Sequence, residues 1–478
     1  MPTSTPALEL HPDRLLPADT ARREISRRLY ESVRELPIIS PHGHVPPSWI
    51  SEDTPFRDPT SLLITPDHYI TRMLHAHGVA LRDLGVGRGP LEDSEARAAF
   101  RTLCSHWSAY RGTPVRYWLE EELAGIFGVT VRPSAETADT IYDQIAARLA
   151  EPGFRPRALM DAFGIEVLAT TDDPCDSLDE HASLAADSTF APRVVPTFRP
   201  DKYLDAALPT WRADVDRLGE VSGIDTGTYS GYLAALEDRR RYFISRGAVS
   251  ADHGVIDAVT VILDAAEASR IFEAARAGTA TEEETTALRR HMLTEMARMS
   301  CEDGLVMTIH PGVRRNHHTP TWQEYGPDVG CDIPIAMEYT DALRPLLEAY
   351  GTHPNLTLVL FTIDETVYSR ELAPLAGFYP SVYVGVPWWF IDAPEAIRRF
   401  RSTVTETAGF SRTSGFIDDT RAFCSIPARH DMSRRLDAGY LSELVVEHRL
   451  AEDEAFEAIR DLVVTNPRKV FRIGGESR

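Results

Sequence analysis

The first chemical signal in the chain is the run Pro37-Ile38-Ile39-Ser40-Pro41-His42-Gly43-His44. If its apolar part is an extended strand, His42 and His44 leave on the same face, because strand side chains alternate with period two. Two imidazoles one residue apart can then hold one metal ion. The prolines stop the segment from continuing as a helix, and Gly43 puts no side chain beside the ion. A pattern this short recurs by chance, so its weight depends on what the rest of the chain delivers to the same place.

Ionisable residues gather repeatedly behind short apolar runs. They appear as Thr170-Thr171-Asp172-Asp173, Arg199-Pro200-Asp201-Lys202, Asp252-His253, His310 with Arg315-Asn316-His317-His318, Asp364-Glu365, Trp388-Trp389 and Asp418-Asp419-Thr420-Arg421. Singly, such loop residues cap helices or pack. Jointly they call for elements that point them at one place.

Those elements are a series of short β-branched runs: 37–40, 165–169, 193–198, 248–250, 305–309, 356–362, 382–386 and 415–417. Between them lie helical patterns, among them 229–246, 282–299, 340–350 and 394–407. Strand, helix, strand in series implies parallel pairing, and eight such units predict a (β/α)8 TIM-like barrel, an α/β fold. An open doubly wound sheet competes, but no glycine-rich phosphate loop follows any strand. Ahead of the first strand, Asp19 is placed to cap a helix with Ile25, Leu29, Val33 and Leu36 at helical spacing. After His44, residues 45–160 read as a helical cap inserted after strand 1. That stretch contains Asp67-His68-Tyr69 opening a helix, then helical patterns over 98–110 and 118–127, and a helix capped by Ser134 and running to Leu149. No linker separates the cap from the strands beyond it, so residues 1–478 are expected to form one barrel unit.

In such a barrel the working residues sit where strands end. The first and last strands lie side by side once the ring closes. His42, His44 and Asp419 (or Asp418) would then surround one cation, and nitrogen with carboxylate oxygen suits zinc, iron, manganese or cobalt.

Composition narrows the partners. The 478 residues carry a formal net charge of −22 with 43% hydrophobic and 26% charged residues, the profile of an ordinary globular protein. An acidic surface repels phosphate backbones and anionic lipid, which argues against nucleic acid and membrane partners and for a small-molecule substrate. No apolar run is long enough to span a bilayer, and residues 1–14 lack the apolar stretch of a signal peptide. Cys104, Cys175, Cys301, Cys331 and Cys424 are widely spaced, the pattern of structural thiols in a reduced, cytoplasmic chain. Homo-oligomerisation is a fair default for a barrel of this size.

Taken together, these motifs resemble the uronate (glucuronate) isomerase family of the amidohydrolase superfamily over almost the whole chain. The resemblance rests on the His-x-His run, Asp67-His68-Tyr69, residues 170–174, Arg199-Pro200-Asp201-Lys202, Asp252-His253, His310-x-Gly312 with Arg315-Asn316, Trp388-Trp389-Phe390 and Asp419-x-Arg421. It implies a metal-dependent aldose–ketose isomerase that interconverts D-glucuronate with D-fructuronate and D-galacturonate with D-tagaturonate. One divalent ion (Zn, Fe or Mn) is implied on His42, His44 and Asp419. Asp419, His68, Tyr69 and Arg421 are implied as catalytic groups, and Arg199, Arg315, Asn316 and Trp388 as substrate-binding groups.

The chain also departs from the family pattern. Arg315-Asn316-His317-His318 stands where a run of asparagines is usual, and Ile363-Asp364-Glu365 replaces an arginine-containing sequence. These extra donors raise a second expectation. Some relatives on this fold are dinuclear non-haem iron monooxygenases acting on bulky apolar substrates, and two irons about 3.5–4 Å apart require roughly six to eight protein donors. His253, His310, His317, Asp364 and Glu365 are the candidates for that second metal.

Overall fold

The structure, a computed structural model, describes residues 6–473. Its strands are short and, one small ladder apart, pair in parallel. β1 (Ile38–Ser40), β2 (Ile165–Ala169) and β3 (Arg193–Val195) form a parallel sheet in that order. After the break at Pro196 come β4 (Thr197–Phe198), β5 (Ser250–His253) and β6 (Val306–Ile309). A small antiparallel ladder of β7 (Val313–Arg314) and β8 (Ile333–Pro334) follows, then β9 (Leu358–Leu360) and β10 (Val382–Val384). The second parallel sheet has the order β10-β9-β6-β5-β4. Every residue of β1, β5, β6 and β9 is buried; β1, β6 and β9 read as nearly continuous apolar runs rather than alternating ones, whereas β5 carries Asp252 and His253.

Backbone hydrogen bonds carry the pairing across the gaps between the sheets. Pro196 cannot donate to a ladder, yet the chain beyond β2 tracks both sides of it: Thr170 N donates to Val195 O and Asp172 N to Thr197 O, each at 3.0 Å. At the far edge Ser414 N donates to Val384 O, and Thr413 bridges Val384 in parallel. His44 N donates to Thr420 O at 3.0 Å, which joins the segment after β1 to the last one.

Two expected strands are placed differently. Residues 415–417 are not a strand, because Gly415 takes φ +77° and a Cβ there would lie 2.4 Å from Pro467 Cδ, a close approach that only glycine permits. The 248–250 run begins the pairing at Ser250 and continues to His253, so Asp252 and His253 lie within the strand and face opposite ways. The predicted 193–198 strand is two pieces, and the 340–350 helix starts at Arg344.

Helices from Pro47–Glu52 to Pro156–Ala162 occupy the stretch between β1 and β2. One buried apolar cluster holds both their side chains (Phe100, Trp118, Tyr142) and those of the strands (Val167, Met307, Leu360). Caps at two sites follow the expected chemistry: Asp19 accepts from Arg22 N, and Asp67 accepts from Tyr69 N at 2.8 Å. Ser134 sits one turn ahead of the helix Ala138–Leu149, bonding the backbone NH groups of Glu136 and Thr137.

The helix Ile426–Val446 is buried along nearly its whole length and packs against Thr20–Val33 and Pro394–Ala408. Its arginines tie the frame together. Arg434 donates to the carbonyls of Val33, Arg34, Leu36 and Pro37, gripping the end of the first helix and the start of β1 with one guanidinium. Arg401, on Pro394–Ala408, makes a bidentate pair with Asp437 (Nε–Oδ1 2.5 Å, Nη2–Oδ2 3.0 Å), both side chains 2% exposed. Removing one partner of a buried pair strands the other charge, which costs about 3–5 kcal/mol, whereas replacing both with apolar groups is often neutral. Asp437→Ala is therefore expected to lower the urea midpoint sharply, and Arg401→Met with Asp437→Leu to recover most of it. Equal losses in the single and double variants, measured by far-UV circular dichroism, would contradict this account.

Candidate active site

The strands and the loops after them open onto a cavity of about 1000 Å³. Its floor is an imidazole–carboxylate cluster. Asp419 Oδ1 lies 2.9 Å from His44 Nε2 and 3.4 Å from His42 Nε2. His310 stacks on His42, ring centroids 4.8 Å apart, and on its other face meets Phe361 at 4.0 Å. Ligand atoms of His42, His310 and Asp419 all lie within 4.8 Å of one another, which is the one such group of three or more found among the described residues.

Asp252, absent from the sequence-derived site residues, completes this floor. Its Oδ1 meets His310 Nδ1 and Thr308 Oγ1, each at 2.6 Å, and its Oδ2 faces His42 Nε2 at 3.9 Å. Holding Nδ1 in this way turns His310 Nε2 outward, as the partners of metal-bound histidines do. Strand parity could have revealed it: with the strand at 250–253, Asp252 shares a face with Ser250 and His253 does not.

Electrostatics set the charge states. Burial pushes His42 down to about 4, although Asp252 and Asp419 favour its protonation. Burial alone would raise Asp419, but the facing His42, His44 and His310 hold it well below the usual carboxylate range. Asp252 is likewise held low, by His310, His42 and Arg199 against its burial. A neutral His42 beside ionised carboxylates is the protonation state that a divalent cation requires.

The walls bring in most of the expected substrate-facing groups. Arg199 pairs with Asp201 (2.8 Å) and Asp252 (3.4 Å). Gly254 permits this, since a Cβ there would sit 2.4 Å from Arg199 Nη2. Arg315 and Arg421 share the carboxylate of Asp328, at 2.9 and 2.8 Å. Asp328 is a second site residue that the motifs did not reveal; despite its burial the two guanidinium groups hold it low. Asn316 and Trp388 also line the cavity, and Trp388 meets the His310 ring at a right angle. His68 and Tyr69 line the same space, stacked on each other at 5.1 Å. Burial carries His68 down to about 3, so it is neutral at pH 7.

Gly43 acts differently from the expectation. A Cβ there would point to Ala169 O, Asp418 Oδ1 and Ser40 Oγ at 3.4–3.7 Å, ordinary contact distances on the side of β2. Asp418 points away from Asp419 and meets His430 Nε2 at 3.1 Å.

The five donors expected to hold a second metal do not converge. His310 belongs to the first cluster. His253 faces the opposite side of β5, where its Nδ1 meets Thr308 O. His317 is exposed, Asp364 caps a turn by accepting from Thr366 N, and Glu365 pairs with Arg399 at 2.7 Å. A one-residue change of parity and ordinary capping explain this dispersal.

The comparisons with known proteins agree with the site. The family model for glucuronate isomerase matches residues 16–471. The uronate isomerase of Cutibacterium acnes is 60% identical over 468 residues, covering 98% of this chain and 99% of that one. That of Corynebacterium efficiens is 54% identical over 464 residues, covering 97% and 98%. Among solved structures, glucuronate isomerase from Caulobacter crescentus superposes with a TM-score of 0.96 at 47% identity, covering 99% of this chain and 98% of that one. With the second-metal donors dispersed and identity this high across the full length, the dinuclear iron oxygenase expectation has no support. The chain belongs to the glucuronate isomerase family.

Proposed function

We propose that the chain interconverts D-glucuronate with D-fructuronate and D-galacturonate with D-tagaturonate by proton transfer through an enediolate. The observation that carries this reading is the ionised Asp419 set against imidazoles at the floor of a cavity whose wall presents Arg315 and Arg421. The family membership gives the reaction class, and the geometry supports the roles that follow.

The reaction moves a proton between C2 and C1 while another moves between the oxygens. Asp419 is the candidate base for the carbon proton: it lines the cavity, with Oδ1 facing His42 and His44. Tyr69 and His68 stand over the same space for the oxygen-borne proton. Arg421, Arg315 and Arg199 present guanidinium forks suited to the C6 carboxylate, with Asn316 for a hydroxyl and the Trp388 ring as an apolar wall. Each arginine is already fixed by an aspartate, so binding orders few new torsions.

A divalent cation fits this floor. His310 Nε2 and Asp252 Oδ2 are buried without hydrogen-bond partners among the described residues, and with His42 Nε2 and Asp419 Oδ1, 3.4 Å apart, they make a donor set suited to zinc, iron or manganese. His42, His44, His310 and Asp419 are the residues that would hold it, with Asp252 orienting His310. When bound, the ion supplies polarisation of the C1 carbonyl or C2 hydroxyl and stabilises enediolate charge.

The wider architecture belongs to the same proposal. The parallel ladder, continued through Ser414 to Val384 and through His44 to Thr420, supports a closed (β/α)8 barrel in one unit, with residues 45–160 as its cap. No helix among the described residues is long and apolar enough to cross a membrane. We place the enzyme in the cytoplasm, acting on a small diffusible sugar acid.

Three outcomes test this reading. Elemental analysis should find about one divalent ion per chain, and His42→Ala or Asp419→Asn should lose both ion and turnover; a variant retaining most activity would remove that residue from the site. Tyr69→Phe should lower kcat for D-glucuronate by about 100-fold, a usual yield of proton transfer by a positioned side chain, while KM changes little. Arg421→Met should raise KM by about 10-fold or more, the worth of a charge-assisted hydrogen bond, and an unchanged KM would assign the carboxylate elsewhere.

A further inference from the structure

Tyr69 is held from behind the cavity wall. Its phenol O–H donates to Asp392 Oδ2 at 2.8 Å, and Arg429 Nη1 donates to the same oxygen at 2.8 Å. Neither Asp392 nor Arg429 lines the cavity, and they are 5% and 1% exposed. Arg429 is in turn wedged between aromatic faces, 3.6 Å from the Trp118 ring centroid and 4.9 Å from that of Tyr69, with Nε donating to Ser425 Oγ at 3.1 Å.

This arrangement does more than satisfy a hydroxyl. A buried phenol needs only a neutral acceptor, and a buried ion pair carries a desolvation penalty that an amide or a backbone carbonyl would avoid. A phenol that donates to a carboxylate behind it turns its lone pairs the other way. Tyr69 therefore meets a substrate hydroxyl as an acceptor, with a carboxylate in place to take the proton it already carries. Asp67, Glu122 and Asp418 also face the Arg429 cation, and Arg72 lies over the Tyr69 ring at 5.6 Å.

We propose that Asp392, fixed by Arg429, is a positioning residue that aims Tyr69 and exchanges a proton with it. In the forward step a substrate O–H bond breaks and its proton forms a new bond to Tyr69 Oη. The original Tyr69 O–H breaks as that proton moves to Asp392 Oδ2. Negative charge passes from Asp392 to the substrate oxygen, and the reverse sequence reprotonates the other oxygen. The inference rests on the reading of Tyr69 as part of the proton path, and it predicts that Asp392 matters only through Tyr69.

A double-mutant cycle on the metal-loaded enzyme separates the two ideas. Tyr69→Phe, Asp392→Asn and the double variant are assayed for kcat and KM with D-glucuronate, with metal content and thermal midpoint measured alongside. The expected result is a loss of about 100-fold in kcat for each single variant, KM within about twofold, and a double variant no slower than the singles. Full kcat in Asp392→Asn with a crippled Tyr69→Phe would overturn this inference and leave the role of Tyr69 standing. Losses that multiply in the double variant would also overturn it, since a structural defect acts equally in both backgrounds. Full kcat in Tyr69→Phe would instead overturn the reading of Tyr69. Should Asp392→Asn fold poorly, Arg429→Lys takes its place in the cycle: a slowed kcat that disappears as a separate effect in the Tyr69→Phe background supports the proposal, and an undiminished effect there refutes it.

Discussion

The site depends on one backbone contact: His44 N donating to Thr420 O, where the segment after β1 meets the last one of the ladder. Through it two residues 375 positions apart, His44 and Asp419, are neighbours at 2.9 Å. The frame around this contact is stiff for identifiable reasons. Arg434 grips four carbonyls at the end of the first helix and the start of β1, and Thr171 Oγ1 holds the Gly43 carbonyl at 2.9 Å. A guanidinium that satisfies several otherwise orphaned carbonyls positions the histidine pair and ends a helix at once.

That closeness decides the electrostatics. Each carboxylate at the floor faces imidazoles or guanidinium groups that hold it low, and burial keeps the His42 ring neutral. The arginines keep their own aspartates: Arg199 has Asp201 and Asp252, while Arg315 and Arg421 share Asp328. A chain of net charge −22 thereby keeps its guanidinium groups fixed in the wall, each balanced by aspartates, without letting them collapse onto the floor. Long-range repulsion of an anionic sugar acid is screened within about 10 Å at ordinary salt, and the local arginines act inside that range.

Much of this was legible in the sequence, for a physical reason. Strands buried on both faces must be apolar and β-branched, so β1, β2, β6 and β9 stand out as runs, and the ionisable groups follow them because strand ends are where solvent and substrate begin. His42, His44, Asp419, Arg315 and Arg421 were readable in this way. Asp252 was not, because placing the strand at 248–250 leaves its parity open, and a one-residue error exchanges the faces of Asp252 and His253. Asp392 and Arg429 were illegible on other grounds: they reach Tyr69 from elements 323 and 360 positions away, and nothing local marks a residue whose partners are all distant.

Backbone strain was equally invisible beforehand, and five of the ten non-glycine residues with positive φ among the described residues fall around the cavity. Asn316, Asp328, Trp389, Phe390 and Asp419 all take positive φ without being glycine, at +53°, +61°, +29°, +52° and +42°. Such a conformation costs about 1–3 kcal/mol per residue and persists only where the surroundings over-determine it. Those surroundings are on view. Asn316 N is held by Asp332 Oδ1 and Asp328 by two arginines, while Trp389 stacks on Phe390, with Arg315 over the Trp389 ring and Arg72 over the Phe390 ring. The ion pairs and aromatic stacks around the cavity therefore hold Asn316, Asp328, Trp389 and Phe390 in conformations that an isolated chain would leave, while Asp419 keeps its own positive φ against the two imidazoles.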